Sequence, residues 1–142
     1  MERSLILIKP DAIQRGLAGT IIARLEGEGL KLVAIKMLHM DKALAKRHYA
    51  IHASKPFFDR LVNYISSAPI IAIVFEGSKA IELIRKTMGA TDPAKAEVGT
   101  IRGDFGLDIE RNTIHGSDSV KTAEEEIKLF FSKDEIFDSP GD

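Results

Sequence analysis

A chain of 142 residues with 44% hydrophobic content can fill one well-packed domain but not two ordinary ones, so a single domain over 1–142 is expected. Twenty lysines and arginines stand against 21 aspartates and glutamates, and the net charge of -1 argues against a protein that works by coating nucleic acid or membrane. The absence of cysteine excludes disulfides, thiolate nucleophiles and thiolate metal sites together.

The first residues run directly into an apolar segment with no signal-peptide pattern, and no apolar run reaches membrane-spanning length, so a cytoplasmic location is expected. Leu5 to Ile8 and Pro69 to Phe75 are unbroken apolar runs and read as buried central strands. Between them, Lys31 to Met40 alternates in the manner of a half-exposed strand. Leu17, Ile21, Ile22 and Leu25 have helical spacing that stops at Gly29. Asp41 suits the cap of a helix carrying Leu44, His48 and Ile51, and Pro56 the first turn of another with Phe58, Leu61, Val62 and Ile65.

Ile81, Ile84 and Met88 mark a further helix closed by Gly89. From Ala90 to Gly106 no period survives, and a loop of that length in a compact domain points to function. Ile109 to Ile114 reads as a fourth strand. Ala123, Ile127, Phe130 and Phe131 form the last helical stripe, with Thr122 and Glu125 spaced as a capping box, before a tail from Asp138 that is expected to fray. The order predicts an α+β domain: a ferredoxin-like, four-stranded, mainly antiparallel sheet with helices on one face. A doubly wound parallel sheet is the competing arrangement.

Several residues are not accounted for by packing. Lys9 ends an apolar strand, where strands hand over to ligand-bearing loops, although a solvated strand end has the same pattern. Phe57 lies off the stripe of its helix and could stack on a base or pack under a loop. Arg85 and Arg102 offer planar cationic forks suited to phosphate, or to ordinary surface ion pairs. No G-x-x-x-x-G-K-[ST] pattern exists, so a Walker-type phosphate loop is excluded. His48 and His52 have the i, i+4 spacing of a metal pair but no third ligand, and no metal site is assigned to them. His39 has no evident partner.

His115 stands apart, in Asn112-Thr-Ile-His115-Gly-Ser-Asp-Ser119. An imidazole at a strand end held by a Gly-Ser turn can present one nitrogen to a ligand while the other is fixed by a hydrogen bond. With an ordinary pKa of ~6.5, such rings are mostly neutral at pH 7 and serve as nitrogen nucleophiles. Glu126, at the border of the last stripe, could orient the ring. Residue types alone leave nucleophile and structural turn histidine equally open.

That segment resembles the active-site signature of the nucleoside diphosphate kinases. Ile8-Lys9-Pro10-Asp11, Gln14-Arg15-Gly16, His48-Tyr49, Lys55-Pro56-Phe57-Phe58, Thr91-Asp92-Pro93-Ala94 and Gly99-Thr-Ile-Arg102-Gly-Asp104-Phe105 resemble the family's segments in the family's order. The resemblance implies that His115 carries a γ-phosphoryl group from a nucleoside triphosphate, mainly ATP, to a nucleoside diphosphate in ping-pong fashion. It implies that Glu126 and Ser117 position the ring. Lys9, Arg85, Thr91 and Arg102 would surround the phosphates, with Lys9 and Asn112 also near the ribose. Tyr49 would lie close to the catalytic histidine and His48 near the phosphates, while Phe57 and Ile109 would sandwich the base.

Mg²⁺ would arrive with the nucleotide, with Asp118 at most contacting it through water. A homo-oligomer, tetramer or hexamer, is implied, with neither membrane nor specific nucleic acid as partner. Val98 and Glu110 depart from a frequent proline and a frequent glycine of the family. The first puts loop stiffness and assembly in question.

Overall fold

The computed structural model describes residues 1–138. Its sheet has four strands: β1 (Glu2–Ile8), β2 (Lys31–Leu38), β3 (Ile70–Gly77) and β4 (Ile114–Gly116). They lie in the order β2-β3-β1-β4, and every neighbouring pair is antiparallel. β1 and β2 are thus parallel to one another with β3 inserted between them, the split arrangement of the ferredoxin-like fold. This pairing excludes the doubly wound alternative.

Helices cover both faces, which corrects the expectation of one. The reason lies in the central strands. Leu5 and Leu7 point into a core shared with Val62, Ile65 and Phe130, from α4 (Phe58–Ile65) and α7 (Val120–Phe130). Ile6 and Ile8 point the other way, to Ile21, Ile84 and Met88 of α2 (Ala18–Gly27) and α5 (Ala80–Met88). An antiparallel strand that is apolar on both sides demands cover on both sides.

Local signals explain most boundaries. Pro10 opens a short helix, α1 (Pro10–Gln14), that the apolar periodicity did not reveal. Asp41 caps α3 (Lys42–His48), its Oδ1 accepting from Leu44 N at 2.7 Å. That helix ends at His48, and a 3₁₀ turn over Ala50–His52 leaves Ile51 83% exposed instead of on the stripe. Pro56 precedes α4, so Phe57 is its N-cap. Gly89 ends α5 with φ +85°, a left-handed conformation suited to glycine.

The segment from Ala90 to Gly106 is structured. It holds a 3₁₀ turn (Pro93–Lys95) and α6 (Ile101–Phe105), whose N-cap Thr100 accepts from Gly103 N at 3.0 Å. Arg24 of α2 ties it down through Asp104 at 2.8 Å and lies over the Phe105 ring. Val98 is 93% exposed, and its backbone forms an isolated bridge with Thr100. The fourth strand lies later than the expected 109–114: residues 107–111 form a turn closed by Leu107 N to Arg111 O, with Asp108 Oδ1 accepting from Glu110 N and Arg111 N. Side chain to backbone bonds of this kind outcompete a strand. Ser119 caps α7 by accepting from Thr122 N, so Thr122 is inside the helix and no capping box with Glu125 forms. At the C-terminal side Asp138 is held by Arg3 at 2.6 Å, and the rest of the tail lies outside the described residues.

A Cβ on Gly103 would sit 2.0 Å from the Glu97 carbonyl oxygen. Gly103→Ala is therefore expected to destabilise the protein by about 1–3 kcal/mol, read from urea unfolding, because the loop backbone must move to admit it.

Candidate active site

The cleft lies where β4, the end of β1 and the loops before and after α6 meet the α3–α4 hairpin. At ≈ 1540 Å³ it exceeds the about 300–1,000 Å³ usual for small-molecule pockets and has room for a nucleotide with its phosphates. Lys9, Tyr49, Phe57, Arg85, Thr91, Arg102, Ile109, Asn112, His115, Asp118 and Glu126 all line it. Ser117 does not. It lies fully buried beneath.

His115 is the central residue of β4, directly opposite Leu7, where the sequence suggested a strand end held by a Gly-Ser turn. Opposite residues of an antiparallel pair share a face, so the ring lies on the α7 side. There its Nε2 is buried 2.9 Å from Oε2 of Glu126, a close contact in which the oxygen stands off the ring's N–H direction. Nδ1 is left as the nitrogen turned to the cleft.

Ser117 Oγ donates to Oε1 of Glu126 at 2.7 Å and accepts from Leu5 N at 3.1 Å. Ser117 thus acts on the carboxylate and not on the ring. Burial pushes the Glu126 carboxyl up. The close contact and charge of His115, and then the Ser117 bond, outweigh that and hold it below its ordinary value.

His48 borders the same cleft but is almost wholly buried. Its side chain is 1% exposed and meets the His115 ring edge-on at 4.7 Å, backed by Tyr49 and Phe130. Burial, then the charge of His115, lowers its pKa to about 3. Its place on the apolar stripe with Leu44 was the sequence signal for this burial. His52, beyond the helix end, turns instead toward Phe57. His39 is exposed but has a partner, its Nε2 lying 2.7 Å from Ser66 O.

The cationic side is built from backbone carbonyls. Arg102 is buried and donates to Ile114 O at 2.7 Å and to Gly89 O at 3.1 Å. Burial, then the charge of Arg85, brings its pKa down to about 10. Lys9 Nζ donates to Asn112 Oδ1 at 2.8 Å, and the amide of Asn112 donates on to Thr91 O at 2.9 Å. Burial, then Arg102, lowers Lys9 to about 8, which still leaves about nine-tenths of it protonated at pH 7.

Arg85 and Thr91 are exposed at the rim. Phe57 and Ile109, 38% and 60% exposed, stand at the outer end, where Arg60 Nε approaches Glu110 Oε1 at 3.4 Å. One clamp was not legible in the sequence: Tyr64 Oη donates to Asp11 Oδ1 and accepts from Asp11 N, fixing the turn that follows Lys9.

The His48 imidazole takes up a proton near its ordinary pKa in the unfolded chain but only near about 3 in the folded one. Between those values the unfolded state binds more protons, so this stability is present above about pH 6.5 and is lost on acidification. Going from pH 7 to pH 5, the wild type should lose roughly 1–2 kcal/mol more than His48→Phe, measured by urea unfolding at both pH values.

The geometry can be set beside known proteins. The sequence model described as nucleoside diphosphate kinase matches residues 2–136. A nucleoside diphosphate kinase of Dehalococcoides mccartyi is 60% identical over 136 residues, covering 96% of each chain. One from Archaeoglobus fulgidus is 57% identical over 96% of this chain and 90% of its own. Among solved structures, the Halobacterium salinarum nucleoside diphosphate kinase in complex with CDP superposes with a TM-score of 0.96 at 50% identity, over 99% of this chain and 94% of that one. The Aquifex aeolicus enzyme gives 0.93 at 41%, over 95% and 98%. With relatives this close over nearly the whole described length, and a cleft gathering the residues that the signature segments supply, the chain belongs to the nucleoside diphosphate kinase family.

Proposed function

We propose that this protein is a nucleoside diphosphate kinase working through a phosphohistidine on His115. The carrying observation is the His115 ring held through buried Nε2 against Glu126, with Nδ1 turned to a cleft that also holds Lys9, Arg85 and Arg102. In the first half-reaction the Nδ1 lone pair forms a bond to the γ-phosphorus of a nucleoside triphosphate, the bond to the bridging oxygen breaks, and the diphosphate leaves. The second half-reaction reverses this with a terminal oxygen of another nucleoside diphosphate as acceptor.

The Nε2–H contact with Glu126 stabilises the cationic ring that develops as Nδ1 bonds to phosphorus. Lys9, Arg85 and Arg102 answer the charge on the phosphoryl oxygens, with Thr91 as a further donor; Mg²⁺ arriving with the nucleotide would add to this charge neutralisation, and Asp118 would at most contact it through water. Lys9 and Asn112, bonded to each other, address the ribose side. Tyr49 supports the wall beside His48. Phe57 and Ile109 stack on the base, which discriminates poorly because every base has a π-face. Broad nucleotide use follows.

A homo-oligomer is proposed on a separate observation. β2 is an edge strand carrying Leu32, Ile35 and Met37 at 40%, 47% and 59% exposure, an arrangement that a monomer would normally blunt. No described helix is long and apolar enough to cross a membrane. A cytoplasmic location is proposed because a chain without cysteine has none of the disulfides usual in small secreted domains.

Mixing the protein with γ-labelled ATP and no acceptor should give an acid-labile label on the chain. GDP or CDP should discharge it as labelled triphosphate, and His115→Gln should reduce it at least about 10²-fold. A label that persists in that variant would place the nucleophile elsewhere. Ile35→Lys is expected to shift the mass in analytical ultracentrifugation toward the monomer.

A further inference from the structure

His48 presents an unresolved cost. Both of its ring nitrogens are buried and without a hydrogen-bond partner. Buried polar atoms of native proteins are nearly always paired, and the exceptions call for a cause. Nδ1 of His48 lies 3.5 Å from Oε2 of Glu126, the oxygen that also lies 2.9 Å from His115 Nε2. One donor atom from each of the three residues falls within 4.8 Å of the others. Two imidazoles and a carboxylate form a recurring zinc donor set, and metal–ligand bonds of about 2.0–2.2 Å place tetrahedral donors about 3.4 Å apart. Side-chain shifts of about an ångström would bring the three there.

We propose that His48, Glu126 and Nε2 of His115 form an inhibitory site for one borderline-soft divalent cation, Zn²⁺ or Co²⁺, entered from the cleft. The carboxylate is pre-oriented, since Ser117 holds its other oxygen. Mg²⁺ does not compete, because it demands octahedral oxygen ligands. The inhibitory effect rests on the reading of His115 as phosphate carrier. When the cation takes the Nε2 lone pair, the proton otherwise on Nε2 is carried on Nδ1 instead. The lone pair that would attack phosphorus is then gone, and nothing is oxidised or reduced.

Chelator-treated protein titrated with Co²⁺ should show the visible absorption of four-coordinate cobalt, saturating at about one ion per chain. Zn²⁺ should displace it. His48→Phe should weaken binding at least about tenfold, and His39→Gln should leave it intact. In wild-type protein, ring nitrogen NMR with Zn²⁺ should move only His48 and His115 of the four histidines and shift the His115 proton from Nε2 to Nδ1.

Protein preloaded with one equivalent of Zn²⁺ should take at least about tenfold less label from Mg·ATP, restored by chelator. Absence of saturable binding, binding that survives His48→Phe, NMR shifts at His39 or His52 instead, or a label unaffected by bound Zn²⁺ would overturn the proposal. If the metal-free protein takes no label while cobalt still binds through His48, the phosphate-carrier reading fails and the cation site stands.

Discussion

The interaction on which the site depends is the relay from the backbone of β1 through Ser117 and Glu126 to the ring of His115. A solvated imidazole rotates and exchanges its proton between two nitrogens. Here one nitrogen is committed to a carboxylate that is itself committed to a buried hydroxyl, and that hydroxyl is fixed by a main-chain amide in the centre of the sheet. Each link is short, and each is removed from water, where such contacts are stronger and a missing one is more costly. The same burial would neutralise an unaided carboxylate, so its own partners are what keep Glu126 ionised.

The cationic half of the cleft follows a different logic. Among the described residues, Arg102 and Lys9 are buried positive charges with no carboxylate among their hydrogen bonds; carbonyls and the Asn112 amide meet part of their donors, and Arg102 Nε has no partner. Such an arrangement costs folding energy, visible in the downward shifts of both groups, and it is what an anionic ligand would relieve. Fold stability and anion affinity are therefore opposed in these residues.

Much of this was legible in the sequence where a residue type meets a strict local constraint. The apolar runs in β1 and β3, the Asp41 cap and the Gly89 terminator are all stated by neighbouring residues. Two-sided cover of the sheet was written into the same runs, since Leu5 to Ile8 leaves no polar face, but a one-faced expectation overlooked it. What could not be read depends on long-range partners. The start of β4 was obscured because Asp108 closes a turn with its own side chain. The pairing of His48 with residues 67 and 78 positions later was hidden behind a misleading i, i+4 histidine pair, and the spacing of Tyr64 and Asp11 gives no hint of their clamp. Motif resemblance pointed to residues that the fold gathers around one cleft, while the individual bonds among them are seen only in the structure.

The antiparallel match of Leu7 with His115 has one more consequence. Side chains along a strand alternate between faces, so a slip of β4 by a single position would turn the imidazole toward α5 and leave Glu126 facing glycine or isoleucine. In this molecule an error in threading and an error in chemistry are one event. A correctly zipped edge of the sheet thus certifies that the His115 imidazole faces Glu126.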